Sequence, residues 1–386
     1  MTNTHPQKGK PNIAIFGVKY FPSKGGTSRV VEAILGELKN SFNFTIYCYA
    51  HPEAETHLEN VKVVQIPETP IKGIGVFWFY LKCYLHLRKQ KHFDLIHIHK
   101  IDAAIFAPLL SRKFPTIITA HALPYLNDKW SRLGKLYFRI AEKMYMHKRG
   151  IPTVISKAHK AHFESSYQQA VEFIPNGIDL STPIDLEASR SILAQNGVNG
   201  NYLFFAARRI IPLKGLHTLL GALRAINYSL PIVIAGDMDQ MKDYSQQIIK
   251  LSQGLNVHFI GFVGEKPTLL GLVQEADLFV FPSELEGMSI MLLEAANTGC
   301  PIICSDIPAN TNMFDEEEVN FFQSKSIDKL ALKLRNAIAN PKLLQSKAQK
   351  AKHKVETAYS REAMSREYAA LYQKTLKQDL LAAERL

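Results

Sequence analysis

Tyr202-Leu203-Phe204-Phe205-Ala206-Ala207 runs straight into Arg208-Arg209-Ile210-Ile211-Pro212-Leu213-Lys214-Gly215. The apolar run predicts a buried strand, the basic stretch a loop, and the glycine the start of a helix. The same strand–loop–helix unit recurs on both sides. Before it come strand candidates Asn12–Gly17, Thr45–Tyr49, Val61–Gln65, Leu95–His99, Thr116–Ala120, Thr153–Ile155 and Val171–Ile174. Helical patterns lie between them, including Thr27–Lys39, Val76–Lys89 and Ser131–Met146. After it come Pro231–Ala235, Val257–Phe259, Leu278–Phe281 and Pro301–Cys304. Such alternation predicts parallel α/β architecture. Asn176–Ser189, rich in Asp, Pro and small residues, reads as a linker between two series. The expected organisation is two doubly wound domains, residues 1–180 and 190–360, followed by a helical tail, 361–386, packing back on the first domain. Domains of this type bind ligand at the carboxyl ends of their strands, so an interdomain cleft is the expected site.

The chain has 386 residues, 46% hydrophobic and 21% charged, enough for two globular domains at about 100–200 residues each. Its formal charge is +11, and residues 1–185 carry nearly all of it, with 24 basic and 14 acidic side chains. One domain is therefore expected to meet something anionic: nucleic acid, a phosphorylated substrate or a membrane surface. Met1 to Asn12 lacks the apolar core of a signal peptide. Ile74–Leu81 falls far short of the ~20 apolar residues a spanning helix needs. Four cysteines, Cys48, Cys83, Cys300 and Cys304, form no CxxC pair, which argues against a disulfide framework or a zinc ribbon. A reduced, cytoplasmic protein is expected.

Two constellations carry chemistry. In Phe281-Pro282-Ser283-Glu284-Leu285-Glu286-Gly287-Met288-Ser289-Ile290-Met291-Leu292-Leu293-Glu294-Ala295, two glutamates bracket a glycine and a helix start. Gly287 allows close backbone approach, Ser289 can cap, and the free N–H groups of that turn suit an anion or a sugar hydroxyl. The plainer reading is a capped helix with two solvated acids. In Ala207-Arg208-Arg209-Ile210-Ile211-Pro212-Leu213-Lys214-Gly215, Arg209 and Lys214 at a strand end beside a helix N-terminus form a diphosphate clamp that would neutralise leaving-group charge. The plainer reading there is a solvated basic loop.

Taken together and in order, these motifs resemble the retaining glycosyltransferases of family 4, which have the GT-B fold. Gly25-Gly26 is similar to the family's glycine-rich loop. Asp94-Leu95-Ile96-His97-Ile98-His99 resembles its mid-domain strand, and Thr119-Ala120-His121 a strand end bearing a donor-site histidine. Ile174-Pro175-Asn176-Gly177-Ile178-Asp179 resembles its entry to the linker. The resemblance implies that Arg209 and Lys214 bind the diphosphate of a nucleotide sugar and that Glu294 holds the ribose hydroxyls. Glu286 and the backbone of Gly287, Met288 and Ser289 would contact the transferred sugar. Gly25 and Gly26 would line the donor site, Val263 would lie by the base, and His121 would touch the reaction centre. The implied co-substrate is a UDP-sugar, with no metal and no bound cofactor. Trp130-Ser131-Arg132-Leu133-Gly134-Lys135 through Glu142 is similar to a rhamnosyltransferase-like bacterial branch.

The sequence departs from the family at Arg208, where glycine is common, and at Gly236-Asp237-Met238-Asp239, where Gly-x-Gly is usual. Asp237-x-Asp239 imitates a metal motif but sits where a turn is expected. His97 and His99 share one strand face without a third ligand. Gly73-Ile74-Gly75 lacks the third glycine of a dinucleotide fingerprint. The aromatic-then-basic stretch Phe77 to Lys91 is expected either to pack in the core or to rest on an anionic bilayer.

The implied activity is transfer of a sugar to a glycan or lipid-linked acceptor in cell-surface polysaccharide or glycoconjugate synthesis, in the cytoplasm or at the inner face of the membrane. The rivals are a non-catalytic nucleotide-sugar-binding partner subunit and a sugar-nucleotide epimerase or phosphorylase on the same fold. No nucleic-acid recognition motif accompanies the positive charge.

Overall fold

The computed structural model describes residues 9–22, 26–51, 54, 58–69, 74–126 and 130–383. It divides into two units: residues 1–177 with 361–386, and residues 178–360.

Among the described residues the first unit holds seven strands: β1 (Asn12–Phe16), β2 (Asn43–Tyr49), β3 (Val61–Ile66), β4 (Leu95–His99), β5 (Thr116–Ala120), β6 (Gly150–Val154) and β7 (Glu172–Phe173). All pairings are parallel, in the order β3-β2-β1-β4-β5-β6-β7. Every residue of β4 and β5 is buried, as expected for a parallel sheet covered by helices on both faces. Between β1 and β4 the strand order reverses. There Gly17 takes φ +98°, and a Cβ on it would lie 1.8 Å from the His99 carbonyl oxygen, so only glycine fits.

The last helix, Arg361–Ala383, belongs to this unit and contributes buried Met364, Tyr368, Leu371 and Tyr372. Tyr372 meets Phe42 edge-on with ring centroids 5.5 Å apart, and Arg361 pairs with Glu37 at 2.9 Å. In the helix Gly75–Leu87, Phe79, Tyr80, Cys83 and Leu87 are buried and Phe77 packs on Phe106. Phe79 and Tyr80 are thus spent on the core, whereas Phe77, Trp78 and Leu85 stay 37–41% exposed.

The second unit holds β8 (Leu203–Arg209), β9 (Ile232–Asp237), β10 (Val257–Gly261), β11 (Leu278–Phe281), β12 (Ile302–Ser305) and β13 (Asn320–Phe322). They form a parallel sheet in the order β10-β9-β8-β11-β12-β13. Its switch point lies between β8 and β11, the position at which such sheets bind ligand. Leu216, Leu219, Leu220 and Leu223 of the helix Leu216–Ala225 meet Leu330 and Leu334 of the helix Ile327–Ala339 in its core. The segment expected as a linker is ordered: Asp185 caps the helix Leu186–Gln195 by accepting from Ala188 N at 2.9 Å. The two ends of the unit meet, since Ile178 N donates to the Tyr359 carbonyl at 2.8 Å. No described helix is long and apolar enough to cross a membrane.

Candidate functional site

In the second unit, β8 and β11 are neighbours, so the loops that follow them lie side by side. The register of β8 against β9 shifts between Ala206 and Arg209, which leaves Arg209 opposite Asp237 and exposed at the strand end. Buried Ile210 anchors the loop, its N–H donating to the Asp237 carbonyl at 2.8 Å. Pro212–Lys214 then forms a 3₁₀ turn, and Gly215, at φ +70°, admits the helix Leu216–Ala225. A Cβ on Gly215 would lie 2.0 Å from the Pro282 carbonyl oxygen. The two loops are therefore in contact, and Glu284 N donates to the Leu213 carbonyl at 2.9 Å.

That apposition brings the two sequence constellations together. Lys214 Nζ donates to Glu286 Oε1 at 2.6 Å, with the side chains 26% and 15% exposed. Arg209 pairs with no carboxylate among the described residues. Ser289 caps the helix Ile290–Thr298, accepting from Leu292 N at 3.4 Å, and Met288 is buried beside it. Glu294, on the second turn, is almost wholly buried and pairs with Lys266 at 2.9 Å. Gly287 is half-buried in the loop, and Val263 is half-buried after β10. The arrangement offers cations, a carboxylate on each side of a glycine, and a helix N-terminus. It suits a ligand that carries both an anion and hydroxyl groups.

Several members of this cluster have no sequence signal. Lys266 opens the helix Lys266–Gln274 after the Val263 loop, and its distance in sequence from Glu294 hides the pairing. Glu284 holds His217 at 3.4 Å and Lys325 at 3.3 Å, and Tyr244 OH meets His217 Nδ1 at 2.9 Å. Burial draws the His217 pKa below its ordinary value, with Glu284 opposing.

Asp237 is spent on its own turn, accepting from Asp239 N at 2.8 Å and from Gln240 Nε2 at 3.0 Å. Gly236 is required because a Cβ would strike the Ala207 carbonyl. Among the described residues no group of three or more His, Cys, Asp or Glu side chains is placed to hold a metal.

In the first unit, Gly25 lies outside the described residues. Gly26 opens the helix Gly26–Leu38 and is exposed, with nothing near the place of a Cβ. His97 and His99 are fully buried on one face of β4, and His121 follows β5. His97 meets Tyr372 OH through Nδ1 and Thr119 Oγ1 through Nε2, each at 2.7 Å. Thr119 continues to Thr153 at 2.6 Å and Tyr368 at 3.2 Å. His99 Nδ1 meets His121 Nε2 at 2.9 Å, with the rings stacked. Burial, then the neighbouring His121, lowers the His97 pKa to about 3. Burial, then Lys100, lowers that of His121 to about 3, and His99 falls well below its ordinary value. All three imidazoles are thus neutral at pH 7, able to donate or accept hydrogen bonds but carrying no charge.

Two family models match. "Glycosyltransferase Family 4" covers residues 24–182 and "Glycosyl transferases group 1" covers residues 189–354. The chain is 25% identical over 344 residues to the UDP-Gal:alpha-D-GlcNAc-diphosphoundecaprenol alpha-1,3-galactosyltransferase of Escherichia coli, covering 82% of this chain and 84% of that protein. It is 40% identical over 114 residues to a D-rhamnosyltransferase of Pseudomonas aeruginosa, a match spanning 29% of this chain and only 28% of that protein. Its fold is similar to that of Anabaena HepE in complex with UDP-glucose, with a TM-score of 0.77 at 18% identity, over 94% of this chain and 99% of the other.

Proposed function

The chain belongs to the family 4 glycosyltransferases of GT-B fold, and from that premise we propose that it transfers a sugar from a UDP-sugar, with retention, to a glycan or lipid-linked acceptor. The observation that carries this reading is the junction of the loops after β8 and β11. There Lys214 and Glu286 touch, Arg209 is unpaired by any described carboxylate, and Glu294 lies buried one helix turn further on.

In this reading the diphosphate binds Arg209 and Lys214, Glu294 takes the ribose hydroxyls, and Val263 lies by the base. Glu286 and the backbone of Gly287, Met288 and Ser289 hold the sugar; Gly25 and Gly26 line the donor, and His121 meets the reaction centre. As the bond from the anomeric carbon to the phosphate oxygen lengthens, charge collects on the diphosphate and the two cations stabilise it. The acceptor hydroxyl attacks the same face and gives its proton to the departing phosphate. The neutral imidazole of His121 supplies a hydrogen bond without a competing charge. No residue is required as a covalent nucleophile and no metal is required. Cell-surface glycan or glycoconjugate synthesis in the cytoplasm is the setting this reading favours, supported by the likeness to a transferase whose name specifies a diphosphoundecaprenol-linked acceptor.

The test is a panel of nucleotide sugars screened by thermal stabilisation, followed by transfer assays in chelator with the product's anomeric configuration read by NMR. A UDP-sugar that raises the melting temperature and yields an axial-to-axial or equatorial-to-equatorial product supports the reading. Inverted product, or activity lost in chelator, overturns it. Sugar isomerisation without acceptor would indicate an epimerase.

A further inference from the structure

The helix Arg132–Tyr145, N-capped by Ser131, turns Phe138, Ala141, Glu142 and Tyr145 inward. Its outward face is not the polar surface such a helix ordinarily presents. Leu133 is 79% exposed, Leu136 53% and Ile140 43%, and their i, i+3, i+7 spacing makes one continuous apolar row. Arg132, Arg139 and Lys143 are exposed along one side of that row. The unit bearing the helix has 29 basic and 16 acidic residues, whereas the other unit has 17 and 19.

We propose that the outer face of Arg132–Tyr145 docks on an anionic lipid bilayer. The apolar row enters the boundary between headgroups and acyl chains, and the flanking cations meet lipid phosphates. This deepens the lipid-linked acceptor reading above by naming the surface that brings the enzyme to its acceptor. The helix Gly75–Leu87 also leaves Phe77, Trp78 and Leu85 37–41% exposed, but none of them reaches the 79% of Leu133 or the 53% of Leu136.

The experiment is flotation of the full chain with vesicles of phosphatidylethanolamine and phosphatidylglycerol, with phosphatidylcholine vesicles as the uncharged control. Binding to the anionic vesicles is expected, and each charge removed among Arg132, Arg139 and Lys143 should weaken it roughly fivefold. Leu133→Ser with Leu136→Ser and Ile140→Ser should abolish it, while melting temperature and UDP affinity stay unchanged. The single Leu133→Ser variant, at the most exposed position, should show a partial loss if the triple variant folds poorly. Equal vesicle binding by wild type and by both sets of variants would overturn the proposal, as would a wild-type dimer that ignores lipid and dissociates on Leu133→Ser. UDP affinity measured alongside keeps this outcome separate from any failure of the donor-site assignment.

An independent observation is the nitrogen-to-nitrogen contact of His99 and His121. Of two neutral rings joined in this way, one donates and the other accepts. His99 Nε2, on the far side of its ring, is buried with no partner among the described residues. A proton there would leave an orphaned buried N–H, which proteins avoid more strictly than an unmatched acceptor. We infer that His99 is a positioning residue: it donates from Nδ1, so that His121 accepts at Nε2 and presents its own proton on Nδ1.

This rests on the reading of His121 at the reaction centre only for its consequence in catalysis; the tautomer is measured directly. Long-range ¹⁵N–¹H NMR of the wild-type protein should show His121 protonated on Nδ1, and His99→Leu should shift that proton to Nε2. His99→Asn, whose amide can donate, should restore part of the Nδ1 signal. A wild-type His121 protonated on Nε2, or a tautomer indifferent to His99→Leu, would overturn the inference.

Discussion

Lys214 is already engaged before any ligand arrives, because its ammonium donates to Glu286 at 2.6 Å in a partly buried setting. A diphosphate must therefore share or displace that contact, and the effects of the two side chains on nucleotide affinity should be coupled. Two unit charges at this separation interact by roughly 6 kcal/mol at an effective dielectric of about 20, most of which is offset by lost hydration. The net worth of a charge-assisted contact is about 1.5–3 kcal/mol. Lys214→Ala should thus weaken UDP binding about tenfold to a hundredfold, as measured by calorimetry. Glu286→Gln removes the competitor and should tighten UDP binding by about 1 kcal/mol while slowing transfer, since its proposed partner is the sugar. In a Lys214→Ala background, Glu286→Gln should leave UDP affinity unchanged, giving a non-zero coupling in the double-mutant cycle. Weaker UDP binding by Glu286→Gln, or an identical change in both backgrounds, would refute the idea that the two residues compete for one contact.

The remaining predictions concern the same framework. Glu294→Gln leaves Lys266 without its buried counter-charge and should cost about 1–3 kcal/mol in urea unfolding, together with a loss of UDP affinity. Gly215→Ala forces a side chain into a left-handed conformation against the Pro282 carbonyl; it should cost more than about 2 kcal/mol of stability and disrupt UDP binding. His97, His99 and His121 have folded-state pKa values far below the unfolded value near 6.5, so the unfolded chain takes up protons first as pH falls. Stability should therefore drop between pH 6.5 and about 3, by up to about 1.4 kcal/mol per pH unit for each ring. Melting curves across that range, compared with His97→Gln, check the slope; a flat profile would contradict it.

The alternating pattern of apolar runs makes both sheets legible from the sequence, because strands buried on both faces leave little ambiguity. β7 shrinks to two residues and β13 escapes notice, since edge strands make few contacts and carry a weak apolar signature. Arg209, Lys214 and Glu286 stand out because loops at strand ends hold unusual charge, and Glu294 because it follows Glu286 across a glycine and a helix start. Their partners do not: Lys266 meets Glu294, and Tyr372 meets His97, across intervals that only the folded chain brings together. The exposed row on Arg132–Tyr145 is equally hidden, because periodicity locates an apolar stripe but not which of two faces the core has taken.

The return of the helix Arg361–Ala383 to the first unit has a consequence for the order in which the protein is made. Residues 178–360 are contiguous and leave the ribosome as a complete unit. The first unit, although begun earlier, lacks Tyr368 and Tyr372 until that helix has been synthesised, and Nδ1 of its buried His97 waits for the Tyr372 hydroxyl. At roughly 5–20 residues per second, the interval from Gly177 to Tyr372 lasts about ten to forty seconds. Through that time the strand-end histidines are held by an unfinished core. The half begun first is therefore the half completed last.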